Sequence, residues 1–313
     1  MRTQLPSAVL AAALACSLFT TPAHARARVF VASYGNDSNP CTFGSPCKTF
    51  QQAVNVVDAA GEVTAIDSAG FGPINITKAV TITSPPGVEA SIATSTGQTA
   101  ITIAAGPNDS ITLRGLTLNG AGAGNYGVNF TSGYKLAVLD CVVADYTVDA
   151  IFVNVTATTI MLISNTAIFD APAGLVLQTA ANGAIIATID LSTFDNNQDS
   201  IELINNGTGL HDITVFVTNS KIGADTSVGI YASGNVVGHA SLTLKNVTFT
   251  STVNSIFLTG YAQVFLSQVT QPGSTFQGVY CTGGGVAAVH SDGTSHLEYD
   301  PTCNGLIDSW ASK

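Results

Sequence analysis

The chain has 313 residues, of which only 10% are charged, and its formal net charge is −10 at pH 7. Soluble domains usually carry about 25% charged residues. The acidic balance argues against a nucleic-acid partner and against an anionic membrane surface, because both require a basic protein surface. It also disfavours polyanionic sugars unless a cation mediates the contact.

Residues 1–25 have the pattern of a secretory signal peptide. Arg2 provides a positive start, Val9 to Phe19 form an apolar stretch too short to span a membrane, and Ala23-His24-Ala25 is a small-x-small cleavage site. We therefore expect a secreted or periplasmic protein whose mature chain begins near Arg26. No later apolar run is long enough for a transmembrane helix, so we expect no membrane insertion.

Residues 26–61 predict a short strand, a disulfide loop and a capping helix. Cys41 and Cys47 bracket a short loop that suits a local disulfide in an exported protein. Thr49 has the position of a helix N-cap, Gln52 completes a capping box, and the apolar spacing continues to about Ala59. This amphipathic helix is well placed to cover the open end of a repeat array.

The other cysteines fall in or after the repeats. Cys281 and Cys303 could pair and fix the C-terminal tail, residues 290–313, to a late coil. Cys141 occupies an inward position among aliphatic residues, so we expect a buried free thiol.

Residues 62–289 repeat two short patterns at intervals of about 25 residues, which indicates stacked coils. The first pattern is aliphatic-x-Asn-x-x-apolar, and the second is small-aliphatic-x-apolar. The first includes Leu113–Leu118, Leu139–Ala144, Ile163–Ile168, Ile189–Phe194, Val217–Ile222, Leu244–Phe249 and Leu266–Gln271. The second includes Gly127–Phe130, Ala150–Val153, Gly174–Leu177, Ser200–Leu203, Gly229–Ala232, Ser255–Leu258 and Gly278–Cys281.

One such unit cannot bury its apolar face alone, so the repeat predicts an all-β parallel solenoid. Asn165, Asn219 and Asn246 share one register of the first pattern, between inward aliphatic residues. We expect their side chains to hydrogen-bond to one another and to the buried backbone of a turn.

The N-terminal motifs and the coils together resemble a known group of proteins. Gly35-Asn36-Asp37, Asn39-Pro40-Cys41, Pro46-Cys47 and Thr49-Phe50 precede the helix and the Ile-Thr coils with their asparagine column. This arrangement is similar to exported bacterial right-handed parallel β-helix repeat proteins of the pectin-lyase-like fold. The resemblance implies the fold over nearly the whole mature chain and leaves the activity open, since that fold hosts lyases, hydrolases, adhesins and tailspikes.

A column of aspartates is the strongest candidate site. Asp145, Asp170, Asp195 and Asp225 fall four to six residues after the asparagine position in successive coils, and Asp199 and Glu202 follow on the next strand. Stacked coils would bring these carboxylates together at about one strand spacing, ~4.8 Å. The cluster could bind Ca²⁺ or supply the acid and base of glycoside hydrolysis, and no other cofactor is indicated. Each aspartate could instead simply start a turn.

Outward aromatic residues lie beside the aspartates. The second strand's outward column contains Asn129, Phe152, Val176, Glu202, Tyr231, Phe257 and Tyr280, and the first strand's contains Val138, Leu162, Phe216 and Phe265. Tyr231 could stack on a sugar ring. These faces could equally contact a protein partner or a second copy of the chain.

The motifs of catalysis known for this fold are mostly missing. Asp-Asp, Gly-His-Gly and Arg-x-Lys are absent, and basic residues that could act in a lyase are scarce. The leading hypothesis is therefore a β-helix protein that binds glycan or protein through its lateral faces. The alternatives are a lyase or hydrolase with a diverged carboxylate site, and a structural, spike-like surface component.

Overall fold

The structure, a computed structural model, describes residues 26–209, 211–250, 252–271, 278–282, 288–291, 293–295 and 303. These residues form one α-helix and 28 β-strands, and neighbouring strands pair in parallel. The signal peptide expected at 1–25 and most of the tail expected at 290–313 lie outside the described residues. No helix within the described ranges is long and apolar enough to cross a membrane.

The strands form three sheets, and each of the eight complete coils contributes to sheet 1, sheet 2 and sheet 3 in that order. Sheet 1 has 11 strands: β1 (Arg28–Val31), β2 (Gly61–Ala65), β5 (Val80–Thr83), β8 (Ser110–Arg114), β11 (Lys135–Leu139), β14 (Thr159–Ser164), β17 (Ile185–Asp190), β20 (Ile213–Thr218), β23 (Ala240–Lys245), β26 (Ala262–Ser267) and β28 (Ala288–Ser291). Sheet 2 has eight: β3 (Ala69–Gly70), β6 (Ala90–Ala93), β9 (Leu116–Asn119), β12 (Val142–Ala144), β15 (Ala167–Phe169), β18 (Thr193–Asp195), β21 (Lys221–Gly223) and β24 (Thr248–Thr250). Sheet 3 has nine: β4 (Ile74–Ile76), β7 (Thr99–Ala104), β10 (Tyr126–Ser132), β13 (Asp149–Val155), β16 (Ala173–Ala181), β19 (Asp199–Gly207), β22 (Val228–Gly234), β25 (Asn254–Gly260) and β27 (Val279–Thr282).

The core is the interior of the solenoid, and the second sequence pattern predicts one of its columns correctly. The column consists of fully buried aliphatic residues that align across sheet 3: Val128, Ile151, Leu175, Ile201, Ile230, Ile256 and Val279. Burial of each such side chain stabilises the fold by about 1.5–3 kcal/mol. The predicted parallel β-helix is confirmed.

The small residue of the second pattern has a steric cause. A Cβ added at Gly174 would lie 2.7 Å from the carbonyl oxygen of Ser200 and 3.1 Å from the ring of Phe194. A larger side chain would push the next coil away from the stack. The start of each sheet 3 strand therefore carries only Gly, Ala or Ser in the seven repeats of the second pattern.

The first pattern marks the corner between sheets 1 and 2, with one error. Register pairs Leu139 with Ser164, so the aliphatic position in that coil is Val138 and the corner position is Asp140. Val138 is buried and Ala137 takes the outward position. The corner column shares a left-handed backbone, with φ between 49° and 69°, at Gly115, Asp140, Asn165, Leu191, Asn219, Asn246 and Gln268.

The asparagines of the corner column are exposed rather than set among inward aliphatic residues. They do form side-chain bonds across coils: Asn246 Nδ2 donates to Asn219 Oδ1 at 2.9 Å, and Asn165 Nδ2 donates to Asp140 Oδ1 at 2.8 Å. Asparagine suits this column because it tolerates the left-handed conformation better than other non-glycine residues. The expected contact with buried backbone is made by the next residue instead.

A buried hydroxyl ladder follows the corner column. Ser192 Oγ accepts from the backbone N–H of Thr166 at 3.3 Å, and Ser220 Oγ accepts from that of Ser192 at 3.1 Å. Each hydroxyl also donates to the carbonyl two residues before it, at 3.0, 2.9 and 2.7 Å for Thr166, Ser192 and Ser220. These bonds satisfy backbone groups that turn away from the sheets.

The helix α1 (Phe50–Val56) lies at the N-terminal end and packs against β1, β2 and β4. Thr49 caps it by accepting from the N–H of Gln52, as predicted. The capping box is only half formed, because the N–H of Thr49 donates to Asp37. The helix ends at Val56, three residues before the predicted end, because Val57 is already extended.

The cysteine predictions are confirmed. Disulfides join Cys41 to Cys47 and Cys281 to Cys303. Cys141 is a buried free cysteine, and burial raises the pKa of its thiol to about 11. A thiol that stays protonated at neutral pH is a packing residue rather than a nucleophile.

Candidate functional site

The four aspartates of the predicted column do not share one register. Asp145 and Asp170 occupy the left-handed corner between sheets 2 and 3, with φ of 63° and 57°. Asp195 ends β18 one position earlier, where its carboxylate lies 3.8 Å from the ammonium of Lys221. The left-handed position in that coil belongs to Asn196 instead.

Asp225 lies one position after the left-handed corner position. Its side chain points inward and is 3% exposed. Ser200 Oγ is 2.8 and 2.9 Å from its two carboxyl oxygens, and the N–H of Asn197 donates to Oδ1 at 3.3 Å. Burial raises its pKa to about 8, although the Ser200 and Asn197 bonds oppose that effect. A buried carboxyl that is protonated at neutral pH belongs to the core rather than to a surface cation site.

The remaining predicted residues do come together, on the outer side of sheet 3. Asp199 opens β19, and Glu202 follows in the outward column, flanked across coils by Val176 on one side and Tyr231 on the other. Asp149 opens β13 in the register of Asp199, with Ala173 between them. We call this surface the sheet 3 face: Asp149, Phe152, Asp199, Glu202, Tyr231, Phe257 and Tyr280.

The carboxylates of the sheet 3 face influence one another. The pKa of Glu202 is raised to about 7, first by burial and then by the negative charges of Asp199 and Asp149. Burial raises the pKa of Asp149 to about 6. Asp199 also accepts the N–H of Val228 through Oδ1 at 2.8 Å, which fixes its orientation. The face can therefore hold a proton on Glu202 near neutral pH, beside further carboxylates.

The aromatic residues of the face stack on one another along the solenoid. The ring centroids of Tyr231 and Phe257 are 5.6 Å apart with planes 20° apart, and those of Phe257 and Tyr280 are 5.2 Å apart at 36°. The face of Phe257 is therefore occupied on both sides. Tyr231 ends this ladder, and its neighbour on the other side is Glu202.

A second aromatic pair lies on the other side of the carboxylates from Tyr231. The ring centroids of Tyr126 and Phe152 are 5.6 Å apart. Burial, and to a smaller extent the negative charge of Asp149, raises the pKa of Tyr126. Between Phe152 and Tyr231 the outward column contains only Val176 and Glu202. At one strand spacing per coil this interval is about 14 Å long.

Among the described residues, no basic side chain forms an ion pair with a carboxylate of the sheet 3 face. Within the described ranges, the ion pairs are Arg28–Glu62, Arg114–Asp140, Lys221–Asp195 and His239–Asp212. None includes a carboxylate of the face. Nor does any group of three or more His, Cys, Asp or Glu side chains among the described residues lie close enough to hold a metal ion.

Asp149 was not among the residues predicted from the sequence, although a signal for it was present. Asp149-Ala150-Ile151-Phe152 and Asp199-Ser200-Ile201-Glu202 share the order Asp-small-Ile-outward residue. The same order two coils apart places both aspartates in one register. Counting from the second pattern rather than from the first would have identified the pair.

Comparison with known proteins defines the class. No family model matches the sequence, and no curated protein sequence is significantly similar to it. Among solved structures, the pectate lyase Pel9A superposes with a TM-score of 0.59 at 11% identity, over 91% of this chain and 80% of that one. XylC in complex with xylose superposes with a TM-score of 0.56 at 9% identity, over 87% of this chain and 70% of that one.

The chain is therefore a parallel β-helix protein with the pectin-lyase-like fold. At this identity the likeness concerns the fold alone. What the protein does has to be argued from its own side chains.

Proposed function

We propose that this protein binds a glycan chain along the sheet 3 face. The observation that carries the proposal is the interval between Phe152 and Tyr231, which holds outward carboxylates between aromatic rings. Sugars are bound by such pairings, because an aromatic ring packs against their C–H faces and carboxylates accept their hydroxyl protons. The superposed structures are a pectate lyase and a protein in complex with xylose, which supports a glycan as the ligand.

The disulfides support export as part of this proposal. Two disulfides in one chain are typical of proteins that mature in an oxidising compartment. We propose a secreted or periplasmic protein that meets its glycan outside the cytoplasm. Fractionation of cells that express the full chain tests this, and a product that retains residues 1–25 in the cytoplasm would contradict it.

A binding panel with one matched pair of variants tests the site. The panel contains xylan, glucan, glucosamine and galacturonan oligosaccharides, and isothermal titration measures affinity. Tyr231→Ala should weaken binding of every oligosaccharide that binds by about fivefold, since stacking on one ring contributes about 1 kcal/mol. Tyr134→Ala is the control, because Tyr134 is 44% exposed next to sheet 1. Equal losses in both variants, or no binding in the whole panel, would refute the proposal.

Glycoside hydrolysis at the same face is the second candidate, and the pKa of Glu202 favours it. A general acid needs its proton near neutral pH, and the pKa of Glu202 is about 7. Asp149 lies two coils away, about 10 Å across the stack and three residues earlier along its strand, and could act as the base of an inverting reaction if its side chain reaches towards Glu202. Release of reducing ends from a panel sugar, abolished in Glu202→Gln, would establish hydrolysis. Binding without turnover would leave the protein a binding module.

A further inference from the structure

We propose that two copies of this chain associate face to face through sheet 1, with a twofold axis that runs along β20. The surface concerned consists of the outward side chains of β14, β17, β20, β23 and β26, and we call it the sheet 1 face. It is separate from the sheet 3 face, so the inference goes beyond glycan binding and does not depend on it.

Large apolar side chains lie exposed on the sheet 1 face. Phe216 in β20 is 40% exposed and Ile186 in β17 is 46% exposed, although both belong to the regular wall of the solenoid. Strand alternation gives the face two columns without a charged residue: Ile160, Ile186, Thr214, Ser241 and Gln263, and Leu162, Thr188, Phe216, Thr243 and Phe265. A contiguous surface of this kind marks an interaction site.

The net charge of the protein makes these uncharged columns the place where two copies can meet. The formal charge is −10, so two copies repel each other at long range. The outward positions of the other two sheets include Glu202 in sheet 3 and Asp195 and Lys221 in sheet 2. Burying those groups against a second copy would cost their hydration. The two uncharged columns of the sheet 1 face carry no such cost.

The third column of the sheet 1 face holds opposite charges at positions that a twofold axis exchanges. Asp190 ends β17 and Lys245 ends β23, and Thr218 of β20 lies between them in register. An axis parallel to the strands along β20 reverses the stacking order and keeps the strand direction. Asp190 of each copy then faces Lys245 of the other copy, and Phe216 meets its own equivalent on the axis.

Both charged groups are available for such pairs. No ion pair among the described residues includes Asp190 or Lys245. Thr218 Oγ1 and Asn219 Nδ2 donate to Asp190 Oδ1 at 2.5 and 2.8 Å, and these bonds lower the pKa of Asp190. The carboxylate is therefore ionised at neutral pH and fixed in orientation. Packed sheets lie about 10 Å apart, a gap that an aspartate and a lysine together can bridge.

The size of the sheet 1 face suits a weak dimer. Its five strands, each of six residues, cover about 24 Å across the stack and about 20 Å along the strands, or roughly 480 Å² per copy. A total of roughly 1,000 Å² is typical of transient interfaces. We therefore expect a monomer–dimer equilibrium rather than an obligate dimer.

Sedimentation velocity of the full chain, over about 1 to 300 µM, tests the proposal. The average sedimentation coefficient should rise with concentration across this range. Phe216→Glu should weaken association at least about tenfold, because it buries two carboxylates together on the axis. Val253→Glu is the matched control, since Val253 is 37% exposed in the turn between β24 and β25, outside sheet 1. The control should leave the equilibrium unchanged.

A charge exchange tests the axis. Lys245→Asp alone and Asp190→Lys alone should each weaken association at least about tenfold, because every contact occurs twice in a symmetric dimer. The double variant Asp190→Lys/Lys245→Asp should restore association to within about threefold of the wild type. If the Asp190→Lys variants fail to fold, Lys245→Asp remains as the test, since Lys245 is exposed.

A monomer at every concentration would overturn the proposal and leave residues 304–313 or a different protein as the occupant of the sheet 1 face. A dimer that Phe216→Glu weakens no more than Val253→Glu does would also overturn it, because the contact would lie elsewhere. A dimer that Phe216→Glu disrupts, but that the folded double variant does not restore, would overturn the axis along β20.

Discussion

Asp225 shows how one carboxyl can serve as a core residue. It takes the position of Asn197 one coil further along, and both side chains accept a backbone N–H from the preceding coil through Oδ1, at 3.3 and 3.2 Å. With its pKa at about 8, Asp225 is protonated at neutral pH and resembles the asparagine amide. Its Ser200 partner lies two residues before Glu202 on β19.

Asp225→Asn should remove a pH dependence of stability. In the unfolded chain an aspartate loses its proton near pH 3.9, whereas the folded protein keeps this one up to about pH 8. The raised pKa therefore makes the free energy of unfolding fall between about pH 4 and pH 8, by up to several kcal/mol. Urea titrations across this range should show a shallower fall in the variant, with greater stability than the wild type at pH 8. Parallel curves would contradict the protonated state.

Single residues of the site were only partly predictable from the sequence. The outward positions of Glu202 and Tyr231 followed from strand alternation, which sheet 3 obeys. Asp145, Asp170, Asp195 and Asp225 were assigned one register, but they occupy three. Turns of slightly different length separate the same strands, and a shift of one residue changes which side of the wall a side chain lies on.

The corner column between sheets 1 and 2 is the element whose conformation constrains the sequence most. Leu191 departs from it, because a leucine at φ 52° is 59% exposed where neighbouring coils have asparagine. The left-handed conformation costs a residue with a branched Cγ about 1 kcal/mol or more, and asparagine less. Leu191 also interrupts the ladder of side-chain bonds, so Asn219 Nδ2 donates to Asp190 Oδ1 instead.

Leu191→Asn should stabilise the protein by about 1 kcal/mol, because it relieves the backbone and removes an exposed aliphatic side chain. Thermal unfolding measures the gain. Val236→Asn controls for the loss of exposed aliphatic surface, since Val236 is 72% exposed outside the left-handed region. A gain of the same size in both variants would show that the corner conformation is not the cause.

At the scale of elements, the sequence predicts the coils well and their boundaries less well. Aliphatic periodicity locates every sheet 3 strand of the repeat region that contains the second pattern. The coil around Leu139 was aligned one residue too late, because it has Asp140 at the corner position where the pattern requires Asn. The pattern alone could not show that Asp and Asn both adopt the left-handed corner conformation. The buried hydroxyls of Thr166, Ser192 and Ser220 carry no periodic apolar signal, so they were missed.

The whole molecule combines an acidic surface with a regular solenoid, and its fold could be predicted from composition and repeat alone. The function could not, because the repeat that determines the fold is apolar and inward, whereas the proposed ligand would contact the outward residues between. The sheet 3 face differs from the rest of the described surface in gathering three partly buried carboxylates beside stacked aromatic rings. That difference is the basis for the proposal of glycan binding.

A crystal structure of the full chain with a bound oligosaccharide from the panel tests this account most directly. We predict a sugar ring in van der Waals contact with Tyr231 and a hydrogen bond or ion pair from the sugar to Glu202, in the interval that ends at Phe152. An oligosaccharide bound to sheet 1, or to the corner column, with the sheet 3 face unoccupied would contradict the account.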